Sequence, residues 1–291
     1  MKTLKITLLA VVAFFSSVTF AQETKHHFKN LSAGDGSSYF IRDDGSLWTC
    51  GWNEKGQLGV PEVKERTAVL QLASNELGWK MAVGCKAYAF FLKEDGSMWS
   101  VGTQESGVQG TNDGKDHKTL TRIGTDNDWE YVSGCHFWGY AAFAIKKDGT
   151  LWGWGSNRSH ELGLGEDLQN KLVPTQIGKD NDWKKVVIGE SAAVALKKDG
   201  TLWGWGNNQV GSLGSKGNPS VNFIKVPTKI SQDNDWKDVV CVAQRTYAIK
   251  NDGTLWATGD NQNNMLGFNE SDENFHPMYF GFKKVEQITK P

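Results

Sequence analysis

A five-residue phrase, Asp-Gly-(Ser/Thr)-(Leu/Met)-Trp, occurs five times, at 44–48, 95–99, 148–152, 199–203 and 252–256. Its tryptophans, Trp48, Trp99, Trp152, Trp203 and Trp256, are spaced by 51, 53, 51 and 53 residues. A period of this length marks one supersecondary unit repeated along the chain. No such unit buries its apolar face alone, so each must stack on its neighbours.

Each unit carries the same parts in the same order. In the fourth, Trp183 to Gly189 is followed by Ala192 to Lys198, Asp199-Gly200, Thr201 to Gly206, Gly211 to Gly214 and Val226 to Ile230. Asp233-Asn234-Asp235-Trp236 then opens the next unit. These are four short β runs joined by turn residues, without helical periodicity, which is how a propeller blade is written. The Asp-Gly pair predicts a two-residue hairpin turn with positive φ at both residues. That register sets Ile41, Leu92, Ile145, Leu196 and Ile249 opposite the five tryptophans. It also sorts each hairpin of the later repeats into one bulky and one small face, suited to radial packing. The Leu-Gly pairs ending at Gly59, Gly163, Gly214 and Gly267 predict a repeated turn. The Asp-Asn-Asp-Trp stretches ending at Trp129, Trp183 and Trp236 predict turn caps whose side chains bond local amides. One such triplet per repeat supplies too few oxygens for a calcium cage.

The pattern Trp-Lys-x-Val-x-x-Gly, then Asp-Gly-Thr-Leu-Trp-x-Trp-Gly-x-Asn, then Gly-x-Leu-Gly, resembles the regulator of chromosome condensation repeat, also found in alpha-tubulin-suppressor-like proteins. Segments 183–214 and 236–267 carry it best. The resemblance implies an all-β propeller of four-stranded blades, usually seven in the family, where this chain shows five units. Repeats are set at 28–78, 79–128, 129–182, 183–235 and 236–291, in one domain spanning 22–291. Phe28 to Gly34 and Phe282 to Ile288 both read as the first strand of a unit. One terminal strand can therefore complete a blade begun at the other end, and a closed five-bladed ring is expected.

Residues 1–21 read as an exported bacterial-type leader. Lys2 and Lys5 precede an apolar stretch from Ile6 to Phe15, and Thr19-Phe20-Ala21 offers a cleavage site before Gln22. A secreted or periplasmic protein is expected, with no membrane insertion. The formal charge of −1 becomes −3 once Lys2 and Lys5 are removed with an acid-free leader. No basic stripe follows from that balance, so nucleic acid is not an expected partner. Cys50, Cys85, Cys135 and Cys241 lack metal-ligand spacing; Cys85 and Cys135 share a slot and read as small buried residues, with a disulfide between them the alternative.

Catalytic patterns are not found. His160-Glu161 lacks a second histidine, Gly189-Glu190-Ser191 lacks a strand-turn-helix context, and the remaining histidines have no ligand spacing. The hairpin aspartates are expected to point to solvent. No enzyme activity, cofactor or metal is expected. Of 13 tryptophans, eleven fill repeat slots and are expected to be structural: the five above, Trp154 and Trp205, and the junction residues Trp79, Trp129, Trp183 and Trp236. Trp52 and Trp138 have no repeat duty, and Trp138 lies in an insertion, His136-Phe137-Trp138-Gly139-Tyr140. Aromatic side chains dominate binding hot spots. Trp52, His136, Phe137, Trp138 and Tyr140, with Arg245 in the matching loop of the fifth repeat, are thus candidate contacts, unless they plug irregular packing. The expected function is a non-enzymatic scaffold, monomeric, binding another protein through its loop face. The alternative is a propeller that binds or cleaves a glycan, with carboxylates such as Asp35 and Glu190 converging on a central channel. Nucleotide exchange on a GTPase, known in some family members, is not carried over.

Overall fold

A computed structural model describes residues 27–135, 139–214, 222–268 and 278–285. It contains five four-stranded antiparallel sheets and almost no helix. Blade 1 is β1 (Phe28–Ala33), β2 (Ser37–Arg42), β3 (Leu47–Trp52) and β4 (Arg66–Ser74). Blade 2 is β5 (Trp79–Gly84), β6 (Tyr88–Lys93), β7 (Met98–Gly102) and β8 (His117–Arg122). Blade 3 is β9 (Trp129–Gly134), β10 (Ala141–Lys146), β11 (Leu151–Gly155) and β12 (Lys171–Gln176). Blade 4 is β13 (Trp183–Ile188), β14 (Ala192–Lys197), β15 (Leu202–Asn207) and β16 (Phe223–Lys229). Blade 5 is β17 (Trp236–Val242), β18 (Arg245–Lys250), β19 (Leu255–Asp260) and β20 (Met278–Lys284). In every blade the strands pair in chain order, each with the next.

The hairpin register differs by one residue from the sequence expectation. Lys197 N–H donates to Thr201 O and Gly200 N–H donates to Lys197 O, and the other four blades repeat both bonds. Three residues thus close the hairpin, and only the glycine takes a positive φ, +81° at Gly200. The aspartate stays in an ordinary turn conformation because its own carboxylate accepts the backbone N–H two residues on, from Thr201 to Asp199 at 2.9 Å. That is a type I turn closed by a glycine bulge. As a result Leu202, not Trp203, faces Leu196, and Trp203 faces Ala195. The other blades agree: Ala144 faces Trp152, Phe91 faces Trp99, Phe40 faces Trp48 and Ala248 faces Trp256.

In blades 3 to 5 large and small residues therefore pair on both faces, instead of segregating into a bulky and a small one. Phe143 lies opposite Gly153, and a Cβ on Gly153 would stand 2.8 Å from Ile177 Cδ1. The aliphatic face of one hairpin then receives alanines and indoles of the next blade. Phe143, Ile145 and Leu151 of blade 3 cluster with Trp183, Ala193 and Trp205 of blade 4. Trp205 packs edge-on to Phe143 at 5.6 Å and donates its indole N–H to Glu161 O at 2.7 Å. Trp154 does the same one blade earlier, on Phe90 at 5.4 Å and Val108 O at 2.7 Å.

Among the described residues the ring is not closed by strand pairing. Phe282 lies in β20, the fourth strand of blade 5, where Ala257 faces Lys283. It is not a sixth first strand. β1 pairs with β2 inside blade 1, so neither terminal strand crosses to the other end. The sheets thus form an arc in which packing runs from each blade to the next. All four cysteines are thiols, and Cys85, Cys135 and Cys241 are buried. Among the described residues no helix is long and apolar enough to cross a membrane.

Candidate functional site

The two ends of the arc differ. One end carries the Asp-Gly hairpins and the blade junctions, and its side chains are committed to structure. Trp203 Nε1 donates to Thr201 Oγ1 at 2.9 Å, and Thr201 Oγ1 donates to Asp199 at 2.7 Å. The indole–hydroxyl bond recurs at Trp48, Trp99, Trp152 and Trp256. The hairpin aspartates are therefore engaged rather than merely solvated. Beside each relay sits a cation. Lys197 Nζ lies 4.7 Å from the Trp183 ring and 4.5 Å from the Trp203 ring, and pairs with Asp180 at 2.6 Å and Asp182 at 3.0 Å. Lys146 and Lys250 repeat the cage with Asp126 and Asp128, and with Asp233 and Asp235. Lys93 uses Glu76, and Arg42 covers Trp48 at 3.8 Å. The Asp-Asn-Asp carboxylates clamp the lysine at the end of the second strand of the blade that follows, not the local amides that turn capping implied. Burial against the rings pulls the Lys197 ammonium down. The Asp180 and Asp182 carboxylates outweigh it, and the group ends above the usual lysine value.

The opposite end is formed by the loops between first and second strands and between third and fourth strands. An amide side chain braces each of the latter: Leu58, Leu162, Leu213 and Leu266 N–H groups donate to Asn53, Asn157, Asn208 and Asn261. Gln104 holds the Gln109 amide in the same way. The Leu-Gly turns follow at once with positive φ, +66° at Gly163. This bracing was not read from the sequence, although an Asn or Gln stands at that slot in every repeat.

The sequence-level candidates share this loop end but stand on three blades. Trp52 closes β3, is 50% exposed, and leaves only 3.1 Å between its ring and a Cβ on Gly36. Tyr140 sits in blade 3, with its ring 6.3 Å from Tyr88. Burial first, and then the hydrogen-bonded Glu105 carboxylate, lift its phenol to about 12. Arg245 opens β18 and donates from Nη1 to Met265 Sδ at 2.8 Å. His136, Phe137 and Trp138 lie outside the described residues. The structure thus sets Trp52, Tyr140 and Arg245 on one end without drawing them into one pocket.

Sequence reasoning placed Glu190 in a loop but did not see its cleft. Between blades 4 and 5 a polar cleft of about 100 Å³ is lined by Glu190, Ser191, Asn207, Gln209 and Gln244. Gln244 Nε2 donates to Glu190 at 3.3 Å. The neighbouring thiol Cys241 is pushed up to about 11, by burial above all. Asp35 stands on blade 1, away from this cleft, and its N–H donates to Cys85 O at 3.3 Å. Among the described residues no three His, Cys, Asp or Glu side chains come together as a metal site would require.

An arc of near-identical four-stranded blades, with a structural end and a variable loop end, defines a repeat protein of the β-propeller class. The regulator of chromosome condensation (RCC1) repeat profile matches residues 148–196 and 199–249, and a second profile of the same repeat matches 28–57 and 183–212. Residues 28–57 and 148–249 thus carry repeats of the regulator of chromosome condensation family. It is 26% identical over 251 residues to the ultraviolet-B receptor UVR8 of Arabidopsis thaliana, a match covering 85% of this chain and 56% of that one. It is 24% identical over 288 residues to the mouse (Mus musculus) regulator of chromosome condensation, covering 91% of this chain and 67% of that protein. The structure of Kap60 bound to yeast RCC1 (Prp20) superposes with a TM-score of 0.78 at 17% identity, covering 90% of this chain and 62% of that chain. At that identity the superposition shows the fold alone. The chain spans about half the length of the ultraviolet-B receptor.

Proposed function

We propose that the chain is an exported, non-enzymatic scaffold that binds another protein through the loop end of its arc. The observation that carries this reading is where the blades stop being alike. The hairpin end repeats one relay five times, whereas the loop end carries a half-exposed indole, Trp52, in a slot held by Thr103, Ser156, Asn207 and Asp260 in the other blades. A large aromatic side chain held on a strand end offers contact area at little entropic cost, as binding hot spots do. That yeast RCC1 has been seen bound to Kap60 supports a protein partner by analogy of fold only. Export rests on the leader at 1–21, which lies outside the described residues.

A glycan remains the second reading, favoured by the polar cleft at Glu190. Cleavage is not, because hydrolysis uses a pair of carboxyl groups and this cleft is lined by one. The test is a pull-down from envelope and culture fractions with the chain and its Trp52→Ala, Trp138→Ala and Tyr140→Ala variants. A captured protein that is lost with these variants, at an unchanged melting temperature, is the expected result. Capture that survives all three substitutions sinks the assignment. Binding to a glycan panel that is lost in Glu190→Gln would move the function to the second reading. Mass spectrometry of envelope material should find a chain starting at Gln22, and an intact Met1 there would refute export by cleavage.

A further inference from the structure

Each blade buries one hairpin face under the blade that follows. Tyr39, Phe90, Phe143 and Val194, in the same slot of blades 1 to 4, are all 0% exposed. The receiving face of the next blade offers a first-strand tryptophan and small residues, as Trp129, Ala142 and Ala144 do beneath blade 2. This meeting of unlike faces occurs four times along the chain.

Two faces are left over. On blade 5, Ile249 and Leu255 are 39% and 38% exposed, while Ile41, Leu92, Ile145 and Leu196 in the Ile249 slot are at most 3% exposed. On blade 1, Leu31 is 73% and Phe28 44% exposed. The Leu31 slot is filled elsewhere by Ala82, Val132, Val186 and Val239, none above 4%. One leftover face is the covering kind and the other the receiving kind.

We propose that a second copy of this chain seats its blade 1 face on the blade 5 face of the first, head to tail, and so repeats the interface between blades. One ion pair between blades carries over to this occupant, whereas another, Lys80 with Glu130 at 2.9 Å, would set Lys237 beside Lys29 of the second copy. Lys29 of blade 1 pairs with Glu94 of blade 2 at 3.3 Å. Repeating that step from blade 5 brings Lys237 to Asp43 of the second copy. Tyr88 of blade 2 donates its hydroxyl to Cys135 O and Gly139 O in the first loop of blade 3. The same step brings Arg245 to the first loop of the second copy, which carries Asp35. Pairing like faces would instead lose both charge matches and set aliphatic side chains against aliphatic side chains without an indole to fill the gap. A head-to-tail contact either closes a ring of copies or grows into a filament. It also departs from the monomer expected from the sequence.

The test is sedimentation velocity over a concentration ramp with the chain and two single variants. Leu31→Asp spoils the receiving face, Ile249→Asp spoils the covering face, and both residues are already exposed, so cooperative melting should persist. The unsubstituted chain should form species larger than a monomer as concentration rises. Each variant alone should remain monomeric. Their equimolar mixture should form a dimer and nothing larger, because each supplies the face the other lacks. A chain that stays monomeric throughout, a single variant that still associates, or a mixture that stays monomeric would each overturn the proposal. If either variant loses cooperative melting, Phe28→Asp or Leu255→Asp replaces it on the same face.

Discussion

Thr201 joins a carboxylate on one side to an indole on the other, and four other blades use Ser or Thr identically. Every letter of the repeated phrase then has a physical duty. The aspartate caps the turn, and the glycine takes positive φ, where a Cβ on Gly200 would stand 2.3 Å from Asn234 O. The hydroxyl relays, the aliphatic residue enters the core and the indole flanks the cage. Accepting these bonds holds Asp95, Asp148, Asp199 and Asp252 below the ordinary aspartate value. The backbone N–H is the largest cause at Asp95 and Asp148, and the Thr hydroxyl at Asp199 and Asp252. A folded value below the unfolded one stabilises above the unfolded value and is lost as pH falls through the folded one. Thermal stability should therefore fall progressively below about pH 4. Asp199→Asn should melt lower near neutrality and lose less on acidification, which calorimetry against pH would read. Parallel curves for the two proteins would show that the relay carries no such linkage.

At the scale of the element, the one-residue hairpin loop difference decides which residues the indoles face across the hairpin. Asp-Gly was legible as a turn, but its length was not, because a two-residue turn and a three-residue turn with a glycine bulge both favour this pair. The side-chain bond from Asp199 to the Thr201 amide selects the longer loop, and no propensity scale contains that bond. Along the same face, Trp205 is fully buried while Trp203 sits half-buried at the rim of the Lys197 cage. Trp205→Ala should cost about 3–5 kcal/mol in urea unfolding, as large core truncations do. Trp203→Ala should cost clearly less. The reverse order would show that Trp203, not Trp205, is the core indole.

For the whole molecule, a chain of blades behaves as a one-dimensional stack whose stability sums units and their shared interfaces. Blades 2, 3 and 4 have neighbours on both sides, and blades 1 and 5 on one. Hydrogen exchange at low protein concentration should therefore be slower in β10 and β11 than in β2 or β18, by about tenfold or more. Equal protection across all five blades would indicate closure of the arc. The candidate site follows the same logic of position. Trp52 and Tyr140 were legible because they break a pattern, which needs only the sequence. The cleft at Glu190 was not, since it exists between blades 4 and 5 and no spacing within one repeat encodes a gap between two.

The amino-acid sequence alone determined the number of units, the four strands in each and the kind of repeat they carry, because these depend on local patterns copied five times. Tertiary structure decided the register of every hairpin, the lysine cages and the open arc. Each of those depends on which atoms of separate segments come within bonding distance. Closure in particular turned on Phe282, which resembles a first strand in its letters but pairs with β19 as the fourth strand of its own sheet. Strand identity in a repeat is set by the neighbour that accepts its hydrogen bonds, and that neighbour is chosen only when the sheet assembles.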